Sequence, residues 1–143
     1  MNSDTINLLT ECNAGIKMGE SAMKQVLPHA RDKELRHILE VTKNTHAALG
    51  DETHAMLQKD GHMPKDSHPL ARAMSSMKIC ATMMVKESDK SIAGLMTDGC
   101  DMGVKSLSRY LNQYKAADES AKDIAKRLIK LEANLTEDLR CYL

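Results

Sequence analysis

The sequence predicts an all-α protein built as two helical hairpins, and three observations carry that reading. The segment Cys12-Asn13-Ala14-Gly15-Ile16-Lys17 returns 88 positions later as Cys100-Asp101-Met102-Gly103-Val104-Lys105. Each copy opens a helix-turn-helix pattern in which apolar residues recur every three or four positions. Glycine and proline number only seven and three, and Pro28, Gly61, Pro64 and Pro69 fall at the proposed turns.

The first helix spans about Asp4 to Leu27. Its stripe is Leu9, Cys12, Ile16, Gly19, Met23 and Val26, widened by Leu8, Gly15 and Ala22 and flanked by Asn13 and Glu20. Pro28 stops it, because proline lacks an N–H and disfavours the α conformation just before it. Asp32 is an N-cap for the second helix, whose stripe is Leu35, Ile38, Thr42, Thr45, Leu49, Glu52 and Met56. Leu39, His46 and Thr53 lie beside that stripe. Gly61 suits the position that follows a helix C-terminus, where a left-handed residue ends the last turn.

A loop from His62 to Pro69 leads into a helical stretch with Met74, Met77, Cys80, Met83 and Met84. The pattern breaks at Glu87, Ser88 and Asp89, which offer a new N-cap. The second hairpin then carries Thr97, Cys100, Val104, Leu107, Leu111 and Tyr114, flanked by Met96, Gly103 and Tyr110. Asp118 caps the last helix, with Ile124, Leu128, Leu131, Leu135, Leu139 and Tyr142 on its stripe. Ala30-Arg31-Asp32 aligns with Ala116-Ala117-Asp118, so the second turn is two residues shorter and the repeat runs through the whole hairpin.

The domain therefore divides into a hairpin over 4–60, a crossover over 61–88 and a hairpin over 89–143. The extra helix of the crossover is about 25 Å long at 1.5 Å per residue, close to the length of the bundle. The chain can travel from one end to the other before the second hairpin begins. That predicts an up-down-down-up four-helix bundle with one long connection, as in ferritin-like folds.

Leu8-Leu9 with the Gly15 to Ala22 segment, Asp32-Lys33-Glu34-Leu35 and Thr45-His46-Ala47-Ala48-Leu49 resemble a group of bacterial four-helix-bundle proteins of unknown function. That group is placed in the ferritin-like superfamily. The resemblance runs from about Asp4 to Leu143. It implies a fold and carries no activity across.

A ferritin-type di-iron centre needs a Glu from each of two helices and a Glu-x-x-His from each of the other two. Glu34-Leu35-Arg36-His37 is such a motif, but it opens its helix, and the last helix has no histidine. Glu20 is the carboxylate near the middle of the first helix, and the echo replaces it with Ser108. The set is incomplete. His46 lies mid-helix, and antiparallel pairing about a turn near residue 30 sets it across from Gly15. Its echo is Glu132. The two suit a buried polar pair, a pH-sensitive contact or half of a divalent-metal site. Set against these is a plain core histidine with a satisfied hydrogen bond.

Met74, Met77, Cys80 and Met83 are soft ligands of the kind that suit Cu(I). Methionine is also the natural gap filler of a core that has no Phe or Trp and eleven Met. Asp51, Glu52, His54, Asp60, His62, Asp66 and His68 put acids beside histidines near the end of the second helix, where a solvated helix end explains them as well. Lys17 and Lys105 fall outside the stripes, and no phosphate-binding glycine loop surrounds Gly15, Gly19, Gly99 or Gly103. No serine or cysteine sits in an activated motif.

Acidic and basic residues balance at 20 each without a basic block, which argues against nucleic acid and anionic membranes as partners. No apolar run approaches the roughly 20 residues of a membrane span. Met1-Asn2-Ser3-Asp4 lacks the parts of a signal peptide, and Cys12, Cys80, Cys100 and Cys141 form no Cys-x-x-Cys. The expectation is a cytoplasmic protein with reduced, mostly buried thiols and no cofactor. Its function is expected to be non-catalytic binding or scaffolding, with itself or another protein as partner. The alternative is a degenerate ferritin-like metal or cofactor binder centred on His46, with Glu132 and Glu20 as the other candidate ligands.

Overall fold

A computed structural model describes residues 1–62 and 88–143. Four long helices form: α1 (Ser3–Val26), α2 (Lys33–Lys59), α3 (Asp89–Gln113) and α4 (Glu119–Leu139). Short 3-10 turns at Leu27–His29 and Arg140–Tyr142 follow α1 and α4. Among the described residues the structure is helical throughout. The extra helix expected around Leu70 to Met84 lies outside the described residues, as do Cys80, Asp66 and His68.

Local chemistry sets most of the ends. Asn2, Asp32 and Ser88 each accept a hydrogen bond from the backbone N–H three residues on, which satisfies one of the orphan donors of a helix start. Asp118 holds the same place before α4 without a side-chain bond of this kind. Its own N–H donates instead to the Thr5 hydroxyl, at 2.8 Å. Gly61 adopts φ of +74°, the left-handed conformation that closes α2.

The direction of each helix follows from what its ends touch. Asn2 and Asp4 at the start of α1 bond Ala116 in the α3–α4 turn. Met1 pairs with Asp60 at the end of α2. At the other end, Asp89 at the start of α3 accepts the N–H groups of Arg31 and Asp32 in the α1–α2 turn, at 2.8 and 3.0 Å. Tyr142 after α4 donates to Asp32 at 2.7 Å. So α1 and α4 run one way and α2 and α3 the other. α2 stops at the end of the bundle opposite to where α3 starts. Each hairpin's first helix supplies the carboxylate that ties down the other hairpin's turn.

The core falls into two clusters. One, towards the α1–α2 turn, holds Met23, Val26, Leu35, Leu39, Ile92, Met96, Leu135 and Leu139. The other, towards the α3–α4 turn, holds Leu8, Leu9, Ile16, Leu49, Leu107, Ile124 and Leu128. Each fully buried leucine is worth about 2 kcal/mol of transfer free energy. Among the described residues leucine, isoleucine and alanine dominate this core, while methionine enters it at Met23 and Met96, with Met18 and Met102 exposed. Cys12 and Cys100 are buried as expected, and Cys141 is exposed.

Two stripes differ from expectation. α2 buries Leu39, His46 and Thr53, whereas Thr45 and Glu52 are exposed and Ile38 and Met56 half-buried. α4 buries Glu132 in place of Leu131. In both helices the polar flank has turned inwards.

Candidate functional site

Those inward polar residues meet at mid-bundle, in the gap between the two apolar clusters. His46 is 1% exposed. Its row, Leu35-Leu39-Thr42-His46-Leu49-Thr53, is polar at three positions, and each has a local partner. Thr42 and Thr53 donate their hydroxyls to the carbonyls of Ile38 and Leu49, four residues back. His46 donates Nδ1–H to the Thr42 carbonyl at 2.9 Å. A carbonyl oxygen only accepts, so the contact puts a hydrogen on Nδ1. The other ring nitrogen, Nε2, points at Glu132 Oε1, 3.8 Å away.

Glycine makes the room. A Cβ on Gly19 would sit 2.9 Å from both Cδ2 and Nε2 of the His46 ring. Gly15, expected to face His46, instead lies near Leu128, whose Cδ2 would be 4.0 Å from a Cβ there. The difference is one helical turn, and its cause is the lean of side chains towards the N-terminus of their own helix. α2 descends against α1, so its ring reaches up one turn, from Gly15 to Gly19. The 3-10 turn at Leu27–His29 adds rise in the same sense.

Glu132 is accommodated in the same way from the other hairpin. A Cβ on Gly103 would overlap its carboxylate, lying 2.8 Å from Cδ and 3.1 Å from Oε1. Glu132 is 7% exposed, and Oε2 has no hydrogen-bond partner among the described residues. The Cys100 thiol is pushed up to about 12, by burial first and by the nearby Glu132 charge second. Cys12 is pushed up to about 12 by burial, with Glu11 adding to it. Both stay thiols at neutral pH, which deprives them of nucleophilic character.

The structure thus brings His46 and Glu132 together and leaves Glu20 out. Glu20 is half-buried and faces an open groove between α1 and α2, where Lys17, Lys24 and Lys43 surround it. Its Oε1 lies 3.5 Å from a Cβ built on Gly50, one turn along α2 from His46. Glu52 is engaged elsewhere, in a two-pronged bond to Arg127 with contacts of 2.6 and 3.0 Å. His62 pairs with Asp60 at 3.5 Å on the surface. Among the described residues no group of three or more His, Cys, Asp or Glu side chains is arranged to hold a metal ion. The Met74, Met77, Cys80 and Met83 series lies outside the described residues.

Sequence reasoning found the pair but missed the glycines that seat it. Gly103 was legible, since the shared lean that matches His46 to Gly19 also matches Glu132 to Gly103. Arg127 was missed altogether, because nothing local marks a surface arginine as a bridge to α2. No helix among the described residues is long and apolar enough to cross a membrane. No protein-family model and no curated protein matches the sequence.

Proposed function

We propose that the protein is a non-catalytic ferritin-like bundle of the cytoplasm, acting as a binding or scaffold module that meets a second copy of itself or another protein. The observation that carries this reading is the filled mid-bundle layer. A catalytic centre keeps an open coordination position or a cleft for substrate. Here the backbone of Gly19 and Gly103 lies directly against the His46 ring and the Glu132 carboxylate, and the layer closes on itself. The opposed helix directions, with α2 and α3 parallel, support the ferritin-like part of the reading. Among the described residues two grooves between helices, by α1 and α2 and by α2 and α4, are open.

Sedimentation velocity over a wide concentration range, with metal analysis of protein purified without chelator, tests the reading. A concentration-dependent dimer without stoichiometric metal supports it. Stoichiometric iron, copper or zinc that is lost in His46→Ala, in a protein that stays monomeric throughout, overturns it.

A further inference from the structure

The pair at mid-bundle poses a problem of hydrogen counting. His46 has its Nδ1 hydrogen committed to the Thr42 carbonyl. A neutral ring then turns a bare lone pair at Nε2 towards Glu132. An ionised carboxylate turns lone pairs back. Two acceptors would face each other across 3.8 Å, in a place that water hardly reaches. At that distance the two are in ion-pair range but beyond a direct hydrogen bond. Among the described residues Glu132 Oε2 finds no donor either. With no hydrogen between them the layer buries an uncompensated negative charge, and with two it buries an uncompensated positive one.

Among the described residues neither partner makes an ion pair with a further charge. α1 contributes Gly19, and its Lys17, Glu20 and Lys24 line the outer groove together with Lys43 of α2, with Glu20 Oε1 3.5 Å from a Cβ built on Gly50. α3 contributes Gly103 and the Cys100 thiol, with Asp101 exposed. α4 contributes Glu132 itself.

We propose that His46 and Glu132 together hold one proton, and that this proton latches the two hairpins together at mid-bundle. With one hydrogen on the pair it is neutral overall, whether drawn as imidazolium and carboxylate or as imidazole and carboxylic acid. Each partner then has what the other lacks. Because His46 belongs to the first hairpin and Glu132 to the second, losing that hydrogen loosens a polar contact between the two hairpins at mid-bundle. Adding another has the same effect. Stability contributed by the pair therefore peaks in the one-proton range and falls on both sides. The device is independent of what the bundle binds.

Nuclear magnetic resonance on the full chain counts the hydrogens directly. The ring nitrogen shifts of His46 and the carboxyl carbon shift of Glu132 at neutral pH together report how many the pair holds. One is expected, and none or two overturns the proposal. Chemical unfolding from about pH 5 to 9 of the wild type and Glu132→Gln supplies a second readout. The glutamine amide brings its own hydrogen to Nε2. The wild type should therefore lose stability relative to the variant as pH rises, by about tenfold or more in the folding equilibrium constant. Parallel curves overturn the proposal. If Glu132→Gln does not fold, the wild-type hydrogen count decides alone.

Discussion

The two hairpins place a histidine and a glutamate at positions that the repeat makes equivalent, and they seat them on glycines that the repeat does not. His46 rests on Gly19, whose echo is Leu107, while Glu132 rests on Gly103, whose echo is Gly15. The shared motif glycine thus serves a polar neighbour in one hairpin and apolar Leu128 in the other. The repeat supplies the packing frame, and a few positions that differ make its two halves complementary rather than alike. A matched pair of histidines or of glutamates holding one proton would carry a net charge, whereas a histidine and a glutamate holding one are neutral overall.

The largest expected effect comes from breaking that complementarity. His46→Leu leaves Glu132 buried without a partner and should cost about 3 kcal/mol in urea unfolding. Adding Glu132→Met replaces the whole pair with apolar volume and should restore stability to within about 1 kcal/mol of the wild type. A double variant as weak as the single one would break the comparison.

The echo glycines come next. Gly103→Ala drives a methyl into the Glu132 carboxylate and should cost about 2 kcal/mol, as overpacking does. Gly15→Ala meets only an ordinary contact and should gain about 0.5–1 kcal/mol, because glycine is a poor residue inside a helix. Equal shifts in melting temperature for the two would remove the asymmetry claimed for them.

The surface bridge between the hairpins is expected to matter less than the buried one. Arg127 and Glu52 have side chains 43% and 48% exposed, so Glu52→Gln should cost only about 0.5 kcal/mol at neutral pH. The Arg127 hydrogen bond holds Glu52 below its ordinary 4.5. The contribution is therefore present above that value and disappears as pH falls through the lowered one. Denaturant midpoints of wild type and variant should converge in acid.

The smallest effect is spectroscopic. Tyr142 of the second hairpin donates to Asp32 of the first, and that bond pushes the phenol up to about 12 from an ordinary 10.0. The neutral phenol is favoured in the fold, so the contact persists below 10 and is lost as pH rises through about 12. Alkaline absorbance titration should show this late ionisation, and Asp32→Asn should bring it earlier.

Much of the fold was legible because helix ends are local events. Pro28, Asp32, Gly61 and Ser88 mark boundaries through their own backbone chemistry, and the helices stop or start within a residue or two of them. The inner faces of α2 and α4 were harder to read. Two rows of equal spacing run through Leu35, Thr42 and Leu49, one through Ile38 and Thr45 and the other through Leu39 and His46. Apolar count does not separate them, since Ile38 is matched by Leu39 and polar Thr45 by polar His46. The structure takes the second, because Thr53 satisfies its hydroxyl within the helix and His46 finds both Thr42 and Glu132. Glu132 reaches His46 from 86 positions away, beyond what any window on α2 can register. The carboxylates of Asp4 and Asp89 were opaque for the same reason, as their partners lie in the opposite hairpin's turn.

Those two carboxylates bear on how the chain can fold. Asp89 bonds backbone 58 and 57 positions earlier, and Asp4 bonds backbone 112 positions later. Each turn thus depends on a segment that only a large loop closure can deliver, and such closures come late and slowly compared with helix formation. A hairpin on its own can coil its helices but leaves its turn unfinished until its mate docks. Folding and unfolding should follow single exponentials, with both hairpins gained or lost in one step and no long-lived half-molecule between them.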